Sequence, residues 1–190
     1  MFARGLGAIT RQSPLEGVVV ATNPLATNPV GVTYISQPLE MILIDKVASE
    51  IRERNWVQTD LKPAILQLSY EYSGLFAQLL AHKLSYNGEP MPIEPINIPY
   101  KSEFKVTLRP EQLDPYGQFI VLDSGCLSGG NFTRVQGQLL DYGYSPKDLI
   151  FTCLACSSKA TFKPNVCPLV FDGENTMVHF WWECKSDKFS

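Results

Sequence analysis

Apolar positions along the chain fall into two periods, and they alternate. Leu39, Ile42, Leu43, Val47 and Ile51 recur at steps of three and four, with Glu50, Arg52, Glu53 and Arg54 mostly on the other side. That spacing predicts an amphipathic helix over 39–55, opened by Pro38. Ala64-Ile-Leu-Gln-Leu68 reads as a short buried strand, 69–74 as a turn, and 75–84 as a helix carrying Leu75, Phe76, Leu79, Leu80 and Leu84. Gln118-Phe-Ile-Val-Leu122 reads as a second buried strand, 123–131 as a loop, and 132–142 as a helix that Gly143 ends. Further strands are expected at 149–156, 166–171 and 177–182, with a turn at Asp172-Gly-Glu-Asn175. Strands that alternate with helices predict an α/β fold, with a mostly parallel twisted sheet flanked by helices. Ligands bind such sheets beyond the carboxyl ends of the strands, where loops 69–74 and 123–131 both fall.

Two stretches break the alternation. Residues 1–38 carry Asn23-Pro24, Asn28-Pro29 and scattered glycines, and read as an N-terminal arm with one short edge strand at Val18–Ala21. The domain is then expected over 39–190. Residues 85–118 hold Pro90, Pro92, Pro95, Pro99, Pro110 and Pro115, with extended pieces at 93–98 and 104–108. This stretch is too long for an ordinary connection, which suggests an active-site loop or a solvated hairpin. Lys101, Lys105 and Arg109 within it suit either a cover over a polyphosphate or a hairpin's wet face.

Composition narrows the function classes. The 190 residues are 45% hydrophobic and 18% charged, as in a globular protein. A net charge of -3 gives no reason to expect nucleic acid as a partner. No apolar run approaches the roughly 20 residues that span a bilayer, and no secretory signal is expected. The odd set of five cysteines reads as reduced thiols in a cytoplasmic protein. Cys153 and Cys156 form a CxxC, which suits either a metal or redox site or simply a buried strand. A metal would need a second ligand pair, and only the isolated Cys167, Cys184, His82 and His179 remain. His82 is expected at a helix surface. His179 alternates onto the face of Trp181, as packing or as part of an aromatic platform.

The chemistry concentrates in Phe119-Ile-Val-Leu-Asp-Ser-Gly-Cys-Leu-Ser-Gly-Gly-Asn131. An apolar strand ends in an acid, and a small-residue turn leads into a helix. Backbone N–H groups in such a turn, with the helix N-terminus, make a concave anion site. Ser128 and Asn131 add side-chain donors. Glycines that serve only the turn are the alternative.

Leu122–Asn131 resembles the phosphate-binding signature of the type I phosphoribosyltransferases, in which a strand ends in two acids before a turn that holds the 5-phosphate of phosphoribosyl pyrophosphate. Asp123 matches the first acid, and Ser124 stands at the second. Leu127 stands where the family often has a further acid that acts as general base. The resemblance implies a type I phosphoribosyltransferase-like fold over about residues 39–188. It implies phosphate binding by Leu127, Ser128, Gly129, Gly130 and Asn131, with Asp123 as the catalytic acid on the ribose. Ser69, Tyr70 and Glu71 would border the pyrophosphate, although the family's usual glycine, lysine or arginine is absent from that loop's centre.

The C-terminal part is similar to the purine branch, the hypoxanthine-guanine and xanthine-guanine enzymes. Ser145-Pro146-Lys147, Lys163-Pro164 and Phe180-Trp-Trp-Glu183 follow that branch's order. Base binding would then involve Ser157, Lys159, Met177, Val178, Trp182 and Glu183. The branch's pocket lysine falls at Ser157, with Lys159 two residues on. The resemblance further implies Mg²⁺ held by Asp123 and Glu183, a nucleobase or nucleotide as second ligand, and a homodimer. The thinned acids leave two alternatives to an enzyme: a nucleotide-binding regulatory module, or an interaction protein built on the same fold.

Overall fold

The computed structural model describes residues 18–22, 31–54, 56, 60–68, 70–96, 108–173 and 176–180. Two compact units divide the chain: residues 42–173, and residues 1–41 with 174–190.

The larger unit is built on a five-stranded sheet in the order β4-β3-β5-β6-β7, parallel throughout. Its strands are β3 (Pro63–Leu68), β4 (Ile93–Ile96), β5 (Gln118–Cys126), β6 (Leu149–Ser157) and β7 (Leu169–Phe171). The apolar runs at 64–68, 118–122 and 149–156 are strands, as their length and β-branched content predict. Every residue of β3 and β6 is buried. That fits central strands of a parallel sheet covered on both faces, which read as continuous apolar runs.

Helices cover the sheet. α1 (Gln37–Glu53) begins in one unit and ends in the other, α2 is Tyr70–Lys83, α3 is the short Pro110–Leu113, and α4 is Gly130–Asp141. α2 packs on β3, β4 and β5 and buries Phe76, Ala77 and Leu80. α4 turns Phe132, Val135 and Leu139 into a cluster with Phe119, Val121, Leu149 and Phe151. Phe132, Phe151 and Phe162 form a triangle with centroids 4.9 to 5.6 Å apart. Tyr144 closes the far end, donating its hydroxyl to the carbonyls of Leu113 (3.1 Å) and Tyr116 (3.2 Å). His82 lies on the exposed side of α2, as expected.

The structure corrects several boundaries. Residues 70–74 are the first turn of α2, not a loop. There the Ser73 hydroxyl donates to the carbonyl of Leu68, which ties the helix start to the end of β3. The expected strand over 166–171 shrinks to β7, and Val166 forms only a single bridge to Thr152. The extended piece at 93–98 is a strand through Ile96, while 97–107, including Lys101 and Lys105, lie outside the described residues. Arg109 is exposed just before α3.

In the smaller unit, β1 (Val18–Thr22), β2 (Gly31–Ile35) and β8 (Thr176–Phe180) form a second sheet. β1 is an edge strand, as expected, and pairs antiparallel with β2. β2 pairs parallel with β8, Tyr34 opposite His179. β2 was not expected, since this stretch reads as irregular from its glycines and Asn-Pro pairs.

One tyrosine links β4 to the turn after α3. The Tyr116 hydroxyl donates to Glu94 Oε1 at 2.8 Å. Burial, then this hydrogen bond and the Glu94 charge, push its pKa up to about 12 from 10.0. The folded state therefore favours the neutral phenol. This contribution to stability is fully present below pH 10 and is lost as pH rises through about 12. The difference in Tm between wild type and Tyr116→Phe is expected to be constant up to pH 10 and to shrink between pH 10 and 12, as melts across that range would read.

Candidate functional site

All strands of the large sheet are parallel, so their carboxyl ends share one edge. The segment after β5 sits at that edge and is tighter than the sequence suggests. β5 runs through Cys126, and α4 starts at Gly130, leaving only Leu127, Ser128 and Gly129 between them. Asp123 to Cys126 look turn-like, but they stay in the ladder because β6 supplies partners: Asp123 opposite Cys153, Gly125 opposite Ala155, Cys126 opposite Cys156. Gly130 and Asn131 thus belong to the first helical turn rather than to a loop.

Gly129 makes this turn possible. Its φ of 85° and ψ of 5° lie in the left-handed region, which suits glycine. A Cβ there would come within 2.4 Å of Phe162 Cβ and 2.9 Å of the Phe162 backbone nitrogen. The surrounding carbonyls are already engaged. Thr161 donates both its backbone N–H (3.0 Å) and its hydroxyl (2.9 Å) to the Ser128 carbonyl. Thr133 likewise donates its N–H (3.0 Å) and hydroxyl (3.1 Å) to the Gly129 carbonyl. Ser128 Oγ accepts the Gly130 N–H at 3.3 Å. What the turn offers a ligand is therefore the amides of a helix's first turn, which have no carbonyl partner within the helix. Ser128 is exposed, and Gly130 and Asn131 are half-buried. Leu127 projects with 70% of its surface exposed.

Asp123 lies behind the turn, buried, with Oδ1 accepting the Ser124 N–H at 2.8 Å. Ser124, at the position of the family's second acid, is also buried. Among the described residues, no group of three or more His, Cys, Asp or Glu is disposed to hold a metal ion. Asp123 is a hard oxygen donor, of the kind Mg²⁺ takes singly when phosphates and waters fill its other positions. Glu183 and Trp182 lie outside the described residues.

The other expected contacts are distributed around this. Ser69 lies outside the described residues, and Tyr70 and Glu71 open α2 at the carboxyl end of β3. At the end of β6, Ser157 is buried and its hydroxyl accepts the Lys159 N–H at 3.0 Å. Gly173 passes so close that a Cβ would meet Ser157 Oγ at 1.9 Å. Lys159 is exposed. Met177 and Val178 are on β8, in the smaller unit.

Sequence reasoning missed the brace made by Thr161, Phe162 and Lys163. Lys163 Nζ donates to the carbonyls of Ser158 (2.7 Å) and Ser157 (3.3 Å). With Thr161 it ties the end of β6 to the phosphate-like turn. Only Lys163-Pro164 left a local trace. The contact between 128 and 161 spans too much chain for any periodicity to reveal.

The CxxC lies within β6, where Cys153 and Cys156 are both buried. Hydrogen bonding to Cys153 lowers the Cys156 pKa to about 6, aided by Cys126 and Lys163 and opposed by burial. Burial and the neighbouring Cys156 push Cys126 up.

No family model matches the chain, and no curated protein matches it in sequence. Solved structures do match. A purine phosphoribosyltransferase from Pyrococcus horikoshii aligns over 80% of this chain and 93% of its own, at TM-score 0.59 and 18% identity. The fold is that of the phosphoribosyltransferases. The xanthine-guanine-hypoxanthine phosphoribosyltransferase of Helicobacter pylori shares it at TM-score 0.61 and 15% identity, over the same 80% and 93%. So does a hypothetical protein from Neisseria gonorrhoeae with bound ppGpp, at TM-score 0.58 and 14% identity, over 80% of this chain and 89% of that one. The phosphoribosyltransferase fold gives the five-stranded parallel sheet and its strand–turn–helix edge a common setting. No helix among the described residues is long and apolar enough to cross a membrane.

Proposed function

We propose that the chain is a phosphoribosyltransferase that joins a purine base to the anomeric carbon of phosphoribosyl pyrophosphate. The observation that carries this reading is the left-handed Gly129 seated on Phe162, which opens the first-turn amides of α4 just beyond β5, the strand that carries Asp123. In this reading the amides of Leu127 to Asn131 hold the 5-phosphate, the Gly130 N–H by exchanging its 3.3 Å bond to Ser128 Oγ, with Ser128 Oγ and the Asn131 side chain as added donors. Asp123 accepts hydrogen bonds from the ribose hydroxyls. The bond from the anomeric carbon to pyrophosphate oxygen breaks as the bond to the base nitrogen forms. Ordering the ribose by these contacts lowers the barrier through positioning. Ser69, Tyr70 and Glu71 border the departing pyrophosphate. Ser157 and Lys159, at the end of β6, are assigned to the base. Mg²⁺, when bound to the pyrophosphate, would neutralise charge on the leaving group, with Asp123 as a protein donor. A cytoplasmic homodimer is part of the same reading.

Turnover tests it. Pyrophosphate release from phosphoribosyl pyrophosphate and Mg²⁺ is expected with at least one of hypoxanthine, guanine and xanthine, and with none in the absence of base. Absence of release with all three would overturn the enzymatic reading. Leu127 offers a sharper probe, since it stands where the resemblance places a general base. Leu127→Asp is expected to leave Tm within about 2 °C, because the side chain is 70% exposed. It is expected to raise pyrophosphate release about 100-fold, at the low end for a positioned general base.

A second reading has an observation of its own. The structural neighbour with bound ppGpp, together with Ser124 and Leu127 at acid positions, favours a regulatory module that binds a nucleotide without turnover. It predicts that nucleotides raise the melting temperature while no base supports pyrophosphate release.

A further inference from the structure

Four thiols gather behind the phosphate-like turn. Cys126, Cys153 and Cys156 belong to the buried cluster under α4, and Cys167 packs against it. All four are free thiols. Two of them are set side by side by the backbone. Thr152 and Val166 form a parallel bridge, with the Val166 N–H donating to the Phe151 carbonyl (3.2 Å) and the Cys153 N–H to the Val166 carbonyl (3.3 Å). Cys153 and Cys167 are the next residue on each side. Neighbouring strand positions lie about 5 Å apart, inside the Cα range a disulfide requires. Their sulfurs are already 3.6 Å apart, and the Cys153 thiol has the Ala155 carbonyl as an alternative acceptor at 3.2 Å. A bond of about 2.05 Å needs only a modest thiol rotation.

Access separates the roles. Cys167 is half-buried, whereas Cys153 is fully buried. We propose that Cys153 and Cys167 form a peroxide-reactive dithiol whose disulfide locks the segment bracing the phosphate turn. The Cys167 thiolate attacks one oxygen of hydrogen peroxide. A sulfur–oxygen bond forms, the oxygen–oxygen bond breaks, and the departing hydroxide takes up a proton as water. The Cys153 sulfur then attacks the sulfenic sulfur of Cys167. The disulfide forms, the sulfur–oxygen bond breaks, and hydroxide leaves with the proton released from Cys153 as a second water. Two thiols and one peroxide thus give one disulfide and two waters.

The ring so closed contains Thr161 and Phe162, the residues that hold the Ser128 carbonyl and cover Gly129. Oxidation therefore adds a covalent tie to the support of the turn, which in the reduced chain rests on hydrogen bonds and packing. This chemistry does not depend on which ligand the turn binds. Cys156 is the competing nucleophile because its pKa is lowered, but it is only 3% exposed, which keeps peroxide from it.

The test treats the reduced full chain with a small excess of hydrogen peroxide, blocks remaining thiols with N-ethylmaleimide, and maps non-reduced peptides by tandem mass spectrometry. The expected product is a Cys153–Cys167 cross-link in most of the protein, reversed by dithiothreitol. Its Tm is expected about 5 °C above that of the reduced chain. A substitution at the buried Cys153 risks the fold, so the variant control is Cys167→Ser, which is expected to form no cross-link at Cys153. Cross-links at Cys126, Cys156 or Cys184 instead, sulfinic acid without a cross-link, or five unreacted thiols would each overturn the assignment.

Discussion

Gly129→Ala is expected to lower Tm by about 9 °C and to abolish ligand binding at the turn. Two costs combine. A left-handed backbone costs an L-residue about 1 kcal/mol or more. The new methyl would also meet Phe162 at 2.4 Å from its Cβ and 2.9 Å from its backbone nitrogen, so Phe162 or the turn must move. Overpacking of that kind costs about 1 to 3 kcal/mol. Together they come to about 3 kcal/mol, and each kcal/mol moves Tm by about 3 °C in a chain of this size. Phe162 is part of the aromatic triangle with Phe132 and Phe151, so it has little room to yield. The neighbouring glycine is the control. A Cβ on Gly130 finds nothing nearer than Ser128 Oγ at 3.6 Å. Gly130→Ala should therefore hold or slightly raise Tm, since alanine is the better helix former. If its methyl crowds an approaching phosphate, it loses ligand affinity without loss of stability. Melting curves and ligand titrations on the two variants separate the glycine that shapes the turn from the one that faces the ligand.

Asp123→Asn is expected to cut turnover by about 100-fold while leaving the fold intact. The amide oxygen keeps an acceptor for the Ser124 N–H now bound at 2.8 Å, so the end of β5 holds its geometry. On the proposed function, what is lost is the charge that would orient the ribose hydroxyls, and misplaced reacting groups cost about that factor. The loss is expected in kcat more than in KM, because the 5-phosphate contacts remain. A nucleotide-binding module without catalysis would show only an affinity loss of about tenfold, the scale of one charge-assisted hydrogen bond.

The sheet was legible because its central strands are covered on both faces. Ile65 and Leu66, Phe119 to Leu122, and Ile150 to Leu154 read as unbroken apolar runs. Helix α1 was legible from its apolar face, and α4 as a helical stretch that Gly143 ends. What escaped the reading depends on distant partners. β2 lies among glycines and Asn-Pro pairs, and it is a strand because β1 and β8 flank it. Asp123-Ser-Gly125 has turn composition, and it is strand because Cys153 and Ala155 pair with it. Tyr70 to Gly74 looked like a loop because serine and glycine interrupt the pattern, yet the Ser73 hydroxyl anchors a helix there.

The site divides the same way. The tight turn was legible from Ser128-Gly-Gly-Asn131, whose small residues suit a sharp connection between a strand and a helix. Its brace at Thr161 and Phe162 was not, since neither residue carries a local signal. The CxxC was legible as a buried strand from its apolar neighbours. Its nearness to Cys167 follows from the single bridge at Thr152 and Val166, which no spacing rule would supply.

On the proposed function, the turn from Leu127 to Asn131 holds a ribose 5-phosphate. Thermal-shift titration with phosphoribosyl pyrophosphate plus Mg²⁺, and in parallel with nucleoside monophosphates, tests it most directly. At one hundred times Kd, binding adds about 2.7 kcal/mol, so a saturable rise of about 8 °C is expected with at least one of these ligands. The rise should vanish in Gly129→Ala. An unchanged Tm with every ligand at millimolar concentration, or the same rise in Gly129→Ala, would contradict the claim.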